Sequence, residues 1–275
     1  MDYLDAVVLG IVEGLTEFLP VSSTGHLTIA EKALGLDLDD PAVTAYTAVI
    51  QMGAILAVVV YFARDIARIA TAWVRGLYDA QWRGHRDHRM GWYVIVGSIP
   101  VGVAGLLGKD LIKGDLRSLW VVGVALVVWS AVMWLAERVA TQDRTEKQLS
   151  LQDAVIVGMA QVVSLVPGIS RSGATISAGL FLGLDRVAAT RLSFFLSIPA
   201  LLAAGIYELP DAFDGSLGAG PMVVGTAVAF VVAYASVAWL LKFVASHTIA
   251  WFVPYRVVVG VALLVLLTTG AMSAT

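Results

Sequence analysis

Two carboxylates stand one helical turn apart near the start of the chain, inside an otherwise apolar run. Glu13 and Glu17 are spaced i, i+4, so a helix places both on one face. An acid at membrane depth costs roughly 2.5–3.5 kcal/mol on insertion scales, so such residues face a protein interior or a cavity. Adjacent carboxylates repel unless a cation, a metal or a shared proton offsets them. The pair therefore predicts either a functional site or a structural ion pair with an arginine.

Hydroxyl side chains and a histidine follow the two acids directly. Ser22, Ser23 and Thr24 precede Gly25 and His26. Taken singly, Ser22 and Thr24 are expected to do no more than cap the next helix. Taken together, carboxylates, hydroxyls and an imidazole supply the nucleophile, the general acid or base and the metal ligand of phosphoryl transfer. The cluster as a whole favours a catalytic site.

A second polar stretch surrounds Arg171. Ser170, Ser172 and Gly173 flank this arginine. A guanidinium with nearby hydroxyls and loop N–H groups suits a phosphate, and a helix that begins near Gly173 would direct its positive end there. The alternative is that Arg171 only neutralises the acidic pair, and both interpretations hold if the ligand joins the same network.

The composition of the 275-residue chain places these stretches in a membrane. Hydrophobic residues make up 59% of the chain, charged residues make up 14%, and the mean hydropathy is +0.83. Globular soluble chains carry about 25% charged residues, so the composition argues against a soluble enzyme. The absence of cysteine excludes thiol catalysis, and a net charge of −3 argues against a nucleic-acid partner.

Six stretches have about the length and apolarity that a membrane-crossing helix needs. Lipid forces backbone groups to pair within each segment, so we predict an all-α integral membrane protein with a single membrane domain over 1–275. Gln51 interrupts the first span, and it either hydrogen-bonds a neighbour or binds substrate in a cavity. The predicted spans are residues 44–63, 92–107, 119–136, 192–207, 221–241 and 256–271.

Arginines set the predicted orientation. Residues 64–89 hold six arginines, which places this segment on the cytoplasmic side by the positive-inside rule. Alternation then places 137–153 inside as well, and 31–40, 109–117, 208–214 and the C-terminus outside. The three cations in 109–117 are the exception to this pattern.

Two further apolar runs are interrupted and repeat each other. Residues 4–19 stop at Pro20 and residues 154–166 stop at Pro167, so we predict two re-entrant helix–loop–helix hairpins beside the six spans. With an offset of 148, 11 of 33 positions from residue 5 onward are identical. Three spans follow each copy, which predicts an inverted-topology repeat with halves of about 1–147 and 148–275, and a site near the midplane.

The two polar stretches resemble the signatures of a known family. Residues 13–27 read EGLTEFLPVSSTGHL and residues 167–175 read PGISRSGAT. They are similar to the first and second signatures of the bacitracin-resistance (BacA) family of undecaprenyl-diphosphate phosphatases, and the resemblance covers the whole chain. It implies hydrolysis of undecaprenyl diphosphate to undecaprenyl phosphate, the lipid carrier for peptidoglycan synthesis, with bacitracin resistance as a consequence.

The resemblance also implies roles for individual residues. Glu17 is the acid most closely tied to catalysis, and Glu13 assists as base or metal ligand. Ser23 is the implied nucleophile and His26 its proton-transfer partner, with attack by water left open. Arg171 binds the diphosphate. The predicted substrate-binding residues, besides Gln51, are Ser22, Thr24, Ser170, Ser172, Gly173 and Thr175.

The family resemblance further implies a divalent cation, Mg²⁺ or Ca²⁺, at Glu13 and Glu17, and a site that opens outside the plasma membrane. The substrate lipid and membrane lipids are the expected partners, and a homodimer is compatible with the sequence.

Two other functions stay open: a transporter or lipid flippase, because inverted repeats with broken helices are transporter architecture, and a structural membrane subunit. The repeats are asymmetric, which favours a one-sided hydrolase over a symmetric carrier. The residues at 13, 17 and 26 are acidic or titratable, whereas their counterparts are Gln161, Leu165 and Ala174.

Overall fold

The computed structural model describes residues 2–37, 40–113, 116, 118–208 and 218–274, and in these ranges the chain is helical with no β-strand. The first half contains α1 (Tyr3–Thr16), α2 (Ser23–Ala33), α3 (Pro41–Tyr61), α4 (Ala63–Tyr78), α5 (Ala80–Arg83), α6 (Arg86–Leu107), α7 (Lys109–Lys113) and α8 (Leu119–Val139). The second half contains α9 (Leu151–Val163), α10 (Arg171–Phe181), α11 (Arg186–Glu208), α12 (Ala219–Val244) and α13 (Val253–Thr268), with 3₁₀ helices at Glu146–Gln148 and Ile249–Phe252.

Six of the helices are long and apolar enough to cross a membrane, which confirms the predicted all-α, multi-pass architecture. They are Ala42–Tyr61, Arg86–Leu107, Leu119–Val139, Arg186–Tyr207, Ala219–Val244 and Ile249–Thr268. Their outer faces carry exposed apolar side chains, such as Leu107 at 85% and Val223 at 69% exposure, as expected where lipid is the solvent. Three spans begin six or seven residues earlier than predicted, at Arg86, Arg186 and Ile249. The charged first turns of the spans at Arg86 and Arg186 are also helical, and a 3₁₀ turn at Ile249–Phe252 precedes α13.

The arginine-rich segment 64–89 is helical rather than a loop. It forms α4, α5 and the first turn of α6, and α4 packs against α6. Two histidines of this segment differ in environment. His88 is buried, and its Nδ1 lies 3.2 Å from the carbonyl oxygen of Trp73, whereas the His85 side chain is 52% exposed. The difference arises because the amphipathic α4 covers the face of α6 that carries His88.

Each of the two interrupted runs forms two helices separated by a loop, and their re-entrant placement in the membrane stays a prediction. The first loop (residues 17–22) separates α1 from α2, and the second loop (residues 164–170) separates α9 from α10. Equivalent serines end the two loops in the left-handed region, Ser22 at φ 79° and Ser170 at φ 77°. Non-glycine residues rarely adopt this conformation, so the repeat in sequence is also a repeat in backbone geometry.

Each half packs its interrupted helix against a long helix of the other half. Helix α1 of the first half packs on α12 of the second, and α9 of the second half packs on α6 of the first. Glycines permit both crossings, because a Cβ on Gly10 would lie 2.6 Å from the carbonyl oxygen of Gly225 and a Cβ on Gly158 would collide with that of Gly97. Gly10 and Gly158 are equivalent under the 148-residue offset, so the same close approach occurs twice.

Charged residues gather at one end of the helical bundle. Arg186 donates three hydrogen bonds to Glu137, and Arg144 donates to Asp153 at 2.6 and 3.0 Å. The hydrogen bond with Asp153 is the main reason why the pKa of Arg144 is raised above its ordinary value. At the other end, Lys109 donates to Tyr207. The predicted outer segments 31–40, 109–117 and 208–214 lie partly outside the described residues.

An aromatic cluster in the core anchors the first loop. Phe18 packs edge-to-face on Phe194 of α11 at 5.5 Å between ring centroids, and Phe62 contacts Phe194 and Phe195. Phe18 is 2% exposed. Phe18, which follows Glu17 directly, therefore fixes the first loop to α11.

Candidate active site

Glu17 stands at the centre of the site and receives hydrogen bonds from both loop regions. Ser23 Oγ donates to Glu17 Oε2 at 2.5 Å, and Arg171 Nη1 donates to Glu17 Oε1 at 3.0 Å. The Glu17 side chain is 3% exposed, whereas that of Arg171 is 25% exposed. Residues 154 positions apart in sequence thus form one constellation, with the carboxylate inside and the guanidinium at its opening.

The two loops also bond each other directly. The Gly168 N–H donates to Ser22 Oγ at 3.1 Å. Ser22 occupies the N-cap position of α2, but its side chain makes no capping hydrogen bond, so the capping role expected for it is wrong. Thr24 lies inside α2 with an exposed side chain, so it is not the cap either. Ser22 is a link between the loops.

The second loop arranges hydroxyls around the start of α10. Ser170 Oγ accepts the Gly173 N–H at 3.1 Å and lies 3.1 Å from Ser172 Oγ. Thr175 is directed elsewhere, since its hydroxyl bonds the carbonyl of Arg171 and the hydroxyl of Ser193 on α11. Both loop serines are buried. Helix α10 therefore directs its N-terminus toward the region where Arg171 emerges.

Glu13 is buried and has no hydrogen-bond partner. Its exposure is 0%, and both carboxylate oxygens lack a donor within the described residues. A buried carboxylate without a donor is costly, so it requires a cation, a proton or water. The described residues contain no group of three acid or histidine side chains suited to a metal. One or two carboxylates completed by phosphate oxygens and water are nevertheless typical of Mg²⁺ sites, so Glu13 and Glu17 fit a divalent cation.

Within the described residues, no hydrogen bond joins His26 to Ser23. Its Nδ1 lies 2.7 Å from the carbonyl oxygen of Ser22, which can only accept, so Nδ1 carries a proton and donates. Its Nε2 lies 2.7 Å from the Tyr255 hydroxyl, and the two rings stack at 5.5 Å. In the neutral imidazole Nε2 has no proton, so Tyr255 donates to it. The group that accepts from Ser23 is Glu17.

The sequence analysis missed two residues of this site, Tyr255 and Arg256. Arg256 is 0% exposed and bonds backbone carbonyls of both loops. The signal was present, since an arginine within an apolar span marks a site by default. The predicted last span begins at Arg256, so hydropathy alone assigns this arginine to the membrane boundary rather than to the interior.

Gln51 stays a prediction. It lies in the middle of α3 and is half-buried, and no described hydrogen bond joins it to either loop. The structure thus brings together the acids, hydroxyls and guanidinium of the two loops and leaves Gln51 on a neighbouring helix.

The fold and the site define a class: a multi-pass helical membrane protein that holds an acid, a hydroxyl and a guanidinium together at two broken helices. The family described as bacitracin resistance protein BacA matches residues 6–262, and the chain belongs to this family.

Curated relatives cover nearly the whole chain. It is 60% identical to an undecaprenyl-diphosphatase of Acidothermus cellulolyticus over 100% of both chains. It is 59% identical to undecaprenyl-diphosphatase 1 of Streptomyces coelicolor, over 97% of this chain and 96% of the relative. It is 52% identical to an undecaprenyl-diphosphatase of Cutibacterium acnes over 100% of both.

Proposed function

We propose that the chain hydrolyses undecaprenyl diphosphate to undecaprenyl phosphate and inorganic phosphate. Its full-length relatives carry the name of this activity, and the chain is an enzyme of that class. The observation that carries the proposal is the contact of Ser23 and Arg171 with one buried carboxylate, Glu17. This arrangement joins a nucleophile, a base and a phosphate-binding cation at one place.

Ser23 is the nucleophile in this proposal. Its oxygen attacks the terminal phosphorus while its proton passes to Glu17, which already accepts the Ser23 hydrogen bond. The bond from this phosphorus to the bridging oxygen breaks, and undecaprenyl phosphate leaves with that oxygen. Water then hydrolyses the phosphoserine, releasing phosphate and returning the proton to Ser23. The notable alternative is direct attack by water, with Glu17 accepting its proton.

The other residues bind and orient the diphosphate. Arg171 turns its guanidinium toward phosphate oxygens, and Ser170, Ser172 and the N–H groups of the first turn of α10 surround them. His26 Nε2, which holds no proton, accepts a proton from the water that cleaves the phosphoserine, once it exchanges Tyr255 for that water, and passes this proton to the released phosphate. Developing charge on the phosphoryl oxygens is stabilised by fixed donors, and this electrostatic contribution is usually the largest in phosphoryl transfer.

Glu13 and Glu17 would hold the divalent cation. When bound, such a cation neutralises charge on the phosphate oxygens. The support for this assignment is the buried Glu13 carboxylate, whose oxygens have no donor among the described residues.

We further propose that α1–α2 and α9–α10 are re-entrant hairpins of an inverted repeat, and that the site opens to the outside. The exchanged packing of α1 on α12 and α9 on α6 supports the repeat. A C55 tail cannot leave the bilayer, so an opening toward lipid would let the tail stay in hydrocarbon while the diphosphate reaches Arg171. Recycling of the carrier in this way would raise bacitracin resistance in cells that overproduce the chain.

A second candidate function is flipping of the lipid product across the membrane. The repeated backbone geometry at Ser22 and Ser170 favours it, because paired broken helices are typical of carriers. A fluorescent undecaprenyl phosphate analogue in proteoliposomes would test it by its protein-dependent exchange between leaflets. Homodimer formation is a separate prediction, checked by the mass of the detergent-solubilised protein.

The experiment that tests the proposed function is phosphate release by purified protein. We expect release from undecaprenyl or farnesyl diphosphate that EDTA abolishes and Mg²⁺ or Ca²⁺ restores. Glu17→Ala and Arg171→Ala should each nearly abolish it, whereas Arg138→Ala, which removes an exposed arginine stacked on Trp134, should not. Equal release by both site variants and the unchanged protein would rule out this site.

A further inference from the structure

Arg256, on the first turn of α13, is fully buried and bonds both loops of the site. Its Nη1 donates to the carbonyl of Pro20 at 3.0 Å, and its Nη2 donates to those of Gly168 and Ile169 at 2.9 and 3.1 Å. Its Nε donates to Ser130 Oγ on α8 at 3.2 Å. One side chain therefore joins α13, α8 and the two loops.

Two of the three carbonyls that Arg256 binds are equivalent in the two repeats. Gly168 lies 148 residues after Pro20, the same offset that relates Ser170 to Ser22. A single guanidinium thus bridges matching atoms of both copies. The Pro20 and Gly168 carbonyls each lie two residues before a serine with positive φ, a backbone conformation that persists only when its surroundings determine it.

The charge of Arg256 is not explained by an ion pair. All four of its hydrogen bonds within the described residues go to neutral oxygens, although its side chain has no exposure. Burying a cation without a carboxylate is costly, and membrane proteins retain such groups where they serve a site. A lysine in its place could not bond all four acceptors, because its three N–H donors leave from one atom whereas the guanidinium spreads five over a rigid plane.

We propose that Arg256 is a positioning residue, which fixes the separation of the two loops so that Arg171 and Ser23 both reach Glu17. The inference rests on the proposed function for its catalytic consequence, but not for its structural one. Arg256 does not touch Ser23, Arg171 or Glu17 in any described contact, so it acts through the backbone of the loops. Two other described hydrogen bonds join the two loop regions, from the Gly168 N–H to Ser22 Oγ and from Arg171 to Glu17, but neither of them bonds the backbone carbonyls of both loops as Arg256 does.

The distance between the loops can be measured without any activity. The chain has no cysteine, so Leu15→Cys with Val163→Cys introduces two labelling sites only. These positions are equivalent in the repeat, end α1 and α9, and are 47% and 42% exposed. After nitroxide labelling, pulsed electron–electron double resonance measures the distance between the two labels. We expect a narrow distance distribution in the double-cysteine protein that keeps Arg256 and a broader one when Arg256→Lys is added. Arg186→Lys, which weakens an arginine–glutamate contact away from the loops, should leave it narrow.

Kinetics then separate positioning from charge. We expect Arg256→Lys and Arg256→Gln to lower kcat by about 100-fold each, the cost of a misplacement near 1 Å, with KM little changed. If Arg256→Lys is as active as the unchanged protein, the charge at position 256 is sufficient and the proposal is overturned. The proposal is also overturned if the distance distribution with Arg256→Lys is as narrow as with Arg256.

Two further arms keep the outcome decisive. If Arg256→Lys does not fold, Ser130→Ala removes only the acceptor of Nε and should broaden the distribution to a smaller extent, and an unchanged distribution would overturn the proposal. If the unchanged protein releases no phosphate from undecaprenyl diphosphate, the proposed function fails, while the distance measurement still tests the link between the loops.

Discussion

In the proposed mechanism the hydrogen bond from Ser23 to Glu17 makes the Ser23 oxygen the atom that attacks the phosphate. A serine whose hydroxyl is held 2.5 Å from a buried carboxylate is prepared to lose its proton. We expect Ser23→Ala to lower kcat on the order of 10³-fold, measured by phosphate release. Thr47→Ala should have no such effect, because the Thr47 hydroxyl bonds only carbonyls of its own helix. A Ser23→Ala enzyme with most of its activity would instead favour water as the attacking group.

The contact between Tyr255 and His26 predicts that substitutions at these two residues have coupled effects on kcat/KM. Tyr255→Phe keeps the ring that stacks on His26 but removes the hydroxyl that donates to Nε2. We expect a loss of about 0.5–1.5 kcal/mol of transition-state stabilisation, that is, a few-fold to about tenfold in kcat/KM. The double variant with His26→Ala should lose less than the sum of the single losses. Strict additivity in this four-protein cycle, with Tyr61→Phe as the uncoupled control, would contradict the contact.

At the scale of single residues, the sequence predicted candidate site residues but not which of them form hydrogen bonds with each other. Intramembrane acids and the hydroxyl run identified Glu17 and Ser23, because such groups are costly in lipid without a role. Their spacing could not tell that Glu17, rather than His26, accepts from Ser23. That depends on where Tyr255 stands, 229 residues from His26 in the chain, and no local pattern encodes such a distance.

The crossing of α9 on α6 depends on two glycines. A Cβ on Gly158 would collide with the carbonyl oxygen of Gly97, and backbone atoms cannot rotate away as a side chain does. We expect Gly158→Ala to lower stability by about 1–3 kcal/mol, the usual cost of overpacking, and to lower the melting temperature in detergent. Gly102→Ala on the same α6 meets no atom within 4 Å and should be neutral or slightly stabilising. Equal melting temperatures for the two variants would refute the close crossing.

At the scale of elements the apolar runs were sufficient to predict the spans and the interruptions. Length and hydropathy identify a span because lipid requires every backbone group to be bonded within it. Length and hydropathy did not predict α4. Its arginines alternate with apolar residues, so its mean hydropathy over a window is low, like that of a loop. The apolar face of α4 is buried against α6, for example at Ile69 and Ala72, and this tertiary contact is what the window cannot detect.

On the scale of the whole molecule, the two halves have similar backbone conformations at their loops but different functional side chains. Glu13 and its counterpart Gln161 are both fully buried, and neither side chain has a hydrogen-bond partner in the described part of the chain. Only the first can ionise. The two copies differ in sequence, so Glu13 and Glu17 belong to the first copy, and Arg171, the proposed phosphate-binding residue, belongs to the second. A symmetric carrier would have no reason for this division, whereas a one-sided hydrolase requires it.

The orientation of the whole molecule gives the last prediction. From the six arginines of residues 64–89 we predict that the end of the bundle near Gly84 lies in the cytoplasm, and alternation of the spans then predicts that the C-terminal end of α13 lies outside. Single cysteines can test this in a chain without others, at Gly84, where a side chain meets nothing within 4 Å, and at Ala271, which is exposed. We expect a membrane-impermeant maleimide to label Ala271→Cys in intact spheroplasts, and Gly84→Cys only after permeabilisation. The reverse pattern would place the arginine-rich end outside and invert the proposed opening of the site.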